Sequence, residues 1–254
     1  MRDDLDMDEG LDYVGCIDPK LLWRYITVAK YMSLLATKTL YFSRADLLGD
    51  KYEGTYRVLT PNNNPFSETN LPNTYQISSR IGHAYVCSFH WSSRENDGMW
   101  RLYTSRSEGI AIVTDTLILA ESLPALPSGM KYWLRPIKYQ AIIRPETLTP
   151  TQISNPIDPF FLKDSCFKHE SEARIVLLYD PETDKIDRDW IDGPSEQPVG
   201  LRIPIDLNRA IRKVLVSPDM PDWLSEAIIG ITRLENDSLT VGKSEIRFRV
   251  WPTR

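Results

Sequence analysis

The segment Gly109-Ile-Ala-Ile-Val-Thr114 is an unbroken apolar run of strand length. A strand with one wet face alternates apolar and polar residues; a run that does not alternate must be covered on both faces. The chain therefore needs a sheet with further elements packed against each side of this strand. Several segments can supply them. Residues 21–27 mix aromatic and β-branched side chains and read as a strand. Thr27 is a good helix N-cap, and Val28, Met32 and Leu35 then recur at helical spacing. Further strands are expected at 40–43, 84–91, 131–139, 172–179 and near 212–216, with one or two more in 241–251. Short helices are expected over 96–105 and after Asp115, ending before Pro124, and a longer one over 222–234.

Between these elements Gly49 and Gly54 bracket a turn that carries Asp50 and Glu53. Two long loops are expected. One, 59–79, is rich in Asn, Pro, Ser and Thr; the other, 145–161, holds Pro145, Pro150, Pro156 and Pro159 and extends toward 166. Loops of this length inside a compact domain are functional or disordered. A polar loop covers 180–198. Residues 1–20 read as an acidic tail with Asp3, Asp4, Asp6, Asp8, Glu9 and Asp12. No internal repeat or linker is visible, so 21–254 is expected to form a single α+β, mixed-sheet domain with flanking helices.

Composition narrows the function classes. The hydrophobic share is 42%, enough for a sizeable core. The 35 acids against 30 bases give a net charge of −5, which argues against a broad nonspecific nucleic-acid coat but leaves room for a local basic groove. Three cysteines without close spacing are not a disulfide framework. The N-terminus lacks a basic and an apolar signal region, and no apolar run approaches the ~18–20 residues that span a bilayer. A cytoplasmic protein with no membrane association is expected.

The segment Glu170-Ser-Glu172-Ala-Arg174-Ile-Val-Leu-Leu-Tyr179 concentrates chemistry. In a strand Glu172, Arg174 and Val176 share one face and Ala173, Ile175 and Leu177 the other. If the extended conformation begins two residues earlier, Glu170 joins Glu172, about 6–7 Å away along the strand. Paired carboxylates suit glycosyl-bond chemistry, one stabilising developing positive charge and one positioning a nucleophile. An exposed edge strand with an ion-pair ladder explains the same pattern equally well. Trp100 and Tyr103, at i and i+3 of a helix, offer either a stacking surface for a base or nicotinamide ring or an aromatic pair turned to the core. Arg44, after Tyr41-Phe42-Ser43, is a candidate phosphate ligand. Arg94, Arg101 and Arg106, with Lys131, Arg135, Lys138 and Arg144, could line a nucleic-acid track or a scattered solvated surface.

Other signatures are absent. Cys87-x2-His90 and Cys166-x2-His169 have poor zinc spacing, because i and i+3 of a strand diverge. No Gly-x-Gly occurs, and Gly242-Lys243-Ser244 lacks the P-loop glycine at 237, where Asp237 stands. No metal site is expected on these grounds.

The motifs have a characteristic order: Trp-Arg-Tyr-Ile-Thr (23–27), Leu-Tyr-Phe-Ser (40–43), Asp-Lys-Tyr-Glu-Gly (50–54), Cys-Ser-Phe (87–89), Met-Trp-x-x-Tyr followed by Glu-Gly-Ile-Ala-Ile (99–112), and Lys-His-Glu-Ser-Glu-Ala-Arg (168–174). Over roughly residues 20–220 this resembles a widespread bacterial family of unknown function met in phage-defence and toxin–antitoxin settings. The layout is also similar, more distantly, to ADP-ribosyltransferases. That resemblance implies NAD as co-substrate, with Arg24 or Tyr25 on the first strand, Tyr41 and Ser43 lining the nicotinamide pocket, and Glu172 as the catalytic glutamate. Glu170 matches the upstream glutamate that orients the acceptor. Trp100 or Tyr103 would pack the nicotinamide and Arg24 or Arg44 the pyrophosphate. The chain departs from the usual first-strand His or Arg and has no Ser-Thr-Ser. The resemblance reaches a messenger-RNA-modifying toxin of a toxin–antitoxin–chaperone system, which implies an RNA or protein acceptor and an antitoxin or chaperone partner. Two other readings stay open: a metal-dependent nuclease or hydrolase using Asp50, Glu53, Glu170 and Glu172, and a non-catalytic module that senses a nucleotide or a phage protein.

Overall fold

The computed structural model of the chain describes residues 11–13, 21–50, 53–57, 75–77, 80–105, 107–127, 130–140 and 157–246. Most of the expected acidic tail, most of loop 59–79 and residues 145–156 of the second loop lie outside them, as do Arg106 and Arg144.

The first strand, β1 (Leu11–Tyr13), falls within the stretch expected as tail. Strand β2 (Leu21–Thr27) passes directly into helix α1 (Val28–Thr37). Thr27 caps that helix, its hydroxyl accepting the Lys30 N–H, and Lys38 ends it in the left-handed region at φ 53°. Next come β3 (Thr39–Arg44), the pair β4 (Thr55–Arg57) and β5 (Tyr75–Ile77), and the long strand β6 (Ala84–Ser92). Helix α2 (Asp97–Tyr103) is capped by the Asn96 side chain. Strand β7 (Gly109–Thr114) precedes α3 (Thr116–Ser122), which Asp115 caps as its position suggested. The chain continues through β8 (Tyr132–Pro136), β9 (Lys138–Gln140), β10 (Leu162–Asp164) and β11 (Glu172–Leu178). It ends with β12 (Ile191–Asp192), β13 (Gly200–Pro204), α4 (Leu207–Ala210), β14 (Lys213–Val216), α5 (Asp222–Glu235) and β15 (Thr240–Lys243). The architecture is mixed α+β, with a large sheet that contains both parallel and antiparallel pairs. Strand β13 was not expected from the sequence: Leu201 and Ile203 alternate for too few residues between Gly200 and Pro204 to signal a strand.

Contacts divide the chain into two compact units. One comprises Met1–Gly15, Tyr41–Ser88 and Ala125–Ile203; the other comprises Cys16–Leu40, Phe89–Pro124 and Pro204–Arg254. In the second unit the strand order runs β2-β7-β14-β15, and β2 also pairs with the last residues of β6, Leu22 opposite Trp91. All six residues of β7 are buried, as its unbroken apolar run requires. Ala111 and Val113 pack with Trp23, Tyr25, Met99, Trp100 and Leu215. Gly109 lets Thr104 and Trp100 pack closely on β7, since an added Cβ would sit 2.8 Å from the Thr104 Cβ and 2.9 Å from the indole ring.

In the first unit β11 lies between β8 and β6. It is antiparallel to β8, with Ile175 opposite Leu134 and Arg174 opposite Arg135. Every residue from Glu172 to Leu177 is buried. The edge-strand reading of this segment is therefore set aside: β11 has a strand on each side and no wet face. Behind it Ala84, Val86, Ile137, Phe160, Phe161 and Val176 form the core. Gly54 belongs to this packing. Its φ is +68°, and an added Cβ would lie 2.9 Å from the Phe160 ring and 3.2 Å from Ile81. Gly54→Ala is expected to destabilise the chain by about 1–3 kcal/mol, through left-handed strain and overpacking together. Urea unfolding checks this as a lowered midpoint with an unchanged slope.

Candidate active site

Three short pieces of the first unit converge at the start of β11. Strands β9 and β10 pair in parallel, Lys163 opposite Tyr139. Asp164 then caps a 3-10 turn over Ser165–Glu170, accepting the Cys166 N–H at 2.8 Å. Ser171 adopts a left-handed conformation at φ 41°, and β11 begins at Glu172. Glu170 is thus not an extended residue two places before Glu172, as the strand pattern suggested. The left-handed Ser171 breaks the extension, and the two glutamates meet from different elements.

They meet on Lys163. Its ammonium lies 2.6 Å from Glu170 Oε2, 3.2 Å from Glu172 Oε2 and 3.3 Å from Glu53 Oε1. Arg174 completes the cluster: its Nε donates to Glu172 Oε1 at 2.5 Å and its Nη2 to Glu53 Oε1 at 2.9 Å. Its Nη1 donates to the Phe160 carbonyl at 3.0 Å. The guanidinium is only 2% exposed, while Lys163, Glu53, Glu170 and Glu172 side chains range from 5% to 12%. Three carboxyl groups thus face two cations in a largely buried site. Glu53 Oε2 is buried with no hydrogen-bond partner among the described residues.

The backbone of Glu172 is pinned from both sides. Its N–H donates to the Tyr139 hydroxyl at 2.7 Å, and its carbonyl accepts the Ile137 N–H at 2.9 Å. Burial and the nearby Glu172 and Glu170 push the Tyr139 phenol up to about 12, against its hydrogen bond with the Glu172 backbone and the Lys163 charge, so it stays neutral. Burial opposes ionisation of Glu172, but the Arg174 charge and hydrogen bonds, then Lys163 and a hydrogen bond from Ser88, outweigh it and hold the carboxyl below its usual range. Burial likewise opposes the Lys163 charge, and Glu172, Glu170 and Glu53 together raise it. Such a carboxylate is a weak base and a strong stabiliser of nearby positive charge. The lysine also fills the point on which the carboxylates converge, where a nuclease would hold a divalent ion. Of the four acids proposed for a metal, Glu53, Glu170 and Glu172 surround Lys163, while Asp50 contributes its carbonyl to the Glu53 N–H. Among the described residues no group of three or more His, Cys, Asp or Glu is arranged to hold a metal.

The other candidate residues lie elsewhere. In the first unit Tyr41 is partly exposed and donates to Asp192 Oδ2 at 3.1 Å; burial and Asp192 push its phenol up to about 12. Ser43 is half-buried on β3, opposite Val86. Arg44 is buried, bonded to both oxygens of Asp46 and to the Pro198 carbonyl, so a pyrophosphate would have to displace Asp46. In the second unit the Tyr25 hydroxyl accepts the Asn96 N–H at 3.0 Å, and its ring meets Trp100 edge-on at 5.0 Å. Trp100 is fully buried and donates to Glu95 at 2.6 Å. Tyr103, the last residue of α2, is 48% exposed, so the two aromatics do not form a shared exposed platform. Arg24 is half-buried over the Phe89 ring. Arg94 and Arg101 are exposed, Arg101 bonded to Asp97 one helical turn back.

Sequence reasoning missed Lys163 and Tyr139. Neither carries a local signal, because the β9–β10 pairing that brings them to Glu172 joins residues more than twenty positions apart.

No family model matches the chain, and no curated protein does. Among solved structures it is similar to DarT of Thermus sp. 2.9 in complex with ADP-ribosylated ssDNA, at 7% identity and a TM-score of 0.40 over 89% of this chain and 95% of that one. The NAD+ complex of the same DarT gives 8% identity and a TM-score of 0.35 over 90% and 96%. Its carba-NAD+ complex gives 8% and 0.34 over 90% and 97%.

Lys163→Met leaves three carboxylates against Arg174 alone and is expected to cost about 3–5 kcal/mol of stability in urea unfolding. The pH dependence has a definite sign. Glu172 titrates lower in the folded chain than its ordinary 4.5, so its contribution is complete above that value and fades as pH falls through the folded one. Lys163 titrates above its ordinary 10.5, so its contribution is complete below that value and fades as pH rises through the folded one. Unfolding midpoints measured against pH are expected to fall less steeply below pH 4.5 in Glu172→Gln than in the wild-type chain.

Proposed function

We propose that the chain is a NAD-dependent ADP-ribosyltransferase of the toxin or antiviral-effector kind, with Glu172 as the catalytic glutamate and Glu170 as its acceptor-orienting companion. The observation that carries this reading is the buried pair itself: Glu172 held ionised and rigid by Arg174, with Glu170 beside it across one shared ammonium. Breaking the nicotinamide–ribose bond sends the electron pair to nicotinamide and leaves an oxocarbenium ion at the ribose. A fixed carboxylate that accepts a ribose hydroxyl stabilises that cation without reorganising. The acceptor oxygen or nitrogen then bonds to the ribose carbon and gives its proton to Glu170 or to water. Ribose hydroxyls reach these oxygens by replacing the Lys163 ammonium, which in the resting site also lies over the Phe167 ring at 4.9 Å.

NAD is the co-substrate in this reading, and RNA the preferred acceptor, with Arg94, Arg101 and Arg106 as contacts to its phosphates. Tyr41 and Ser43, in the same unit as Glu172, remain candidates for NAD contacts. An antitoxin or chaperone partner and a cytoplasmic site of action belong to the same proposal. The convergence of Glu53 with Glu170 and Glu172 favours a metal-dependent hydrolase as the second reading, although Lys163 already supplies the cation.

The test is transfer of label from adenylate-labelled NAD to RNA, single-stranded DNA or lysate protein, with and without EDTA, alongside nicotinamide release. Transfer is expected to be insensitive to EDTA and to fall about 10²–10³-fold in Glu172→Gln. Glu170→Gln is expected to spare nicotinamide release and reduce transfer to the acceptor. EDTA-sensitive strand cleavage without label transfer would assign the site to hydrolysis instead.

A further inference from the structure

Helix α5 has two apolar faces, and the fold uses one. Ser225, Ile228 and Thr232 are buried, and Thr232 bonds the Tyr31 hydroxyl at 2.8 Å. On the opposite face Trp223, Ala227, Gly230 and Leu234 are all exposed, Trp223 by 71% and Leu234 by 87%. Their spacing of four, three and four residues draws one straight seam along the helix, the pattern of a helix that packs on another. The seam is large at its ends and small in its middle; a Cβ added at Gly230 meets nothing within 4 Å.

We propose that this face is a self-association surface on which α5 packs antiparallel against α5 of a second copy of the chain. The pattern is self-complementary about a two-fold axis between Ile228 and Ile229. That axis sets Trp223 against Leu234 of the second copy and Ala227 against its Gly230, so bulky ends flank a closely approaching centre. Charge agrees with the same register. Glu226 and Arg233 flank the seam on one side, both exposed and neither engaged in an ion pair among the described residues. In an antiparallel pair, residues at these two positions face each other across the seam, so Glu226 of each copy meets Arg233 of the other, twice by symmetry. A parallel pair would instead set these residues against the opposite flank of the seam, with Glu226 near Ile231 of the other copy and no charge pair formed. One helix pair is smaller than a standard interface of about 1,600 Å², so the dimer forms at micromolar chain concentration and dissociates on dilution. The face lies wholly within the second unit and is independent of the catalytic reading.

Sedimentation equilibrium of the full chain over a range of concentrations tests this. The mass is expected to rise from one chain to two with concentration. Trp223→Asp is expected to hold the mass at one chain, with an unchanged melting temperature because the side chain is exposed. Glu226→Arg or Arg233→Glu alone is expected to weaken the dimer by on the order of tenfold, by turning two attractive pairs repulsive. The double variant Glu226→Arg/Arg233→Glu is expected to restore it. A wild-type chain that stays monomeric throughout, a dimer that survives Trp223→Asp, or a double variant no better than the singles would overturn the proposal.

Discussion

One buried ammonium organises the first unit. Lys163 touches Glu170, Glu172 and Glu53, and Arg174 adds a second buried cation that pairs with Glu172 and Glu53. Removing a charge from water is costly unless partners and hydrogen bonds replace the solvent. Much of the surrounding structure reads as provision of those partners. The β9–β10 register sets Lys163 beside Tyr139, the left-handed Ser171 turns Glu170 back toward the ammonium, and Gly54 lets the chain carrying Glu53 pack closely on Phe160.

The same network decides what chemistry the site suits. Two cations and three carboxyl groups share one buried cluster, in which Glu53 Oε2 has no hydrogen-bond partner among the described residues. A buried charge cluster of this kind places stability at risk for a fixed electrostatic arrangement, a trade found at functional sites. Glu172, held ionised, is suited to meeting a developing cation and poorly suited to taking a proton. Glu170, at the end of a 3-10 turn, is slightly more exposed than Glu172.

Structural and functional demands are distributed differently in the second unit. Tyr25 and Trp100 stand out in the sequence as aromatic candidates, yet they hold the core together, edge to face, with Trp100 anchored by Glu95. Helix α5 shows the converse: its inner face is built from small and β-branched residues, and its largest apolar side chain, Trp223, points to solvent. Aromatic content alone thus marks neither core nor site; the covering elements decide.

The sequence by itself determined the strand and helix succession around Gly109–Thr114, the caps at Thr27 and Asp115, and the shared face of Glu172 and Arg174. These follow from local periodicity and side-chain chemistry, which act over a few residues. It could not determine whether the Glu172 strand lay at an edge or inside the sheet, because a charged pair on one face looks the same in either place until its neighbours β6 and β8 are known. Nor could it reveal Lys163, Tyr139 or the role of Glu53, which reach Glu172 from 9, 33 and 119 residues away in the chain. Only the tertiary structure brings them together, because the interaction that binds them is charge pairing in a dehydrated interior, and dehydration belongs to the fold and to no single segment.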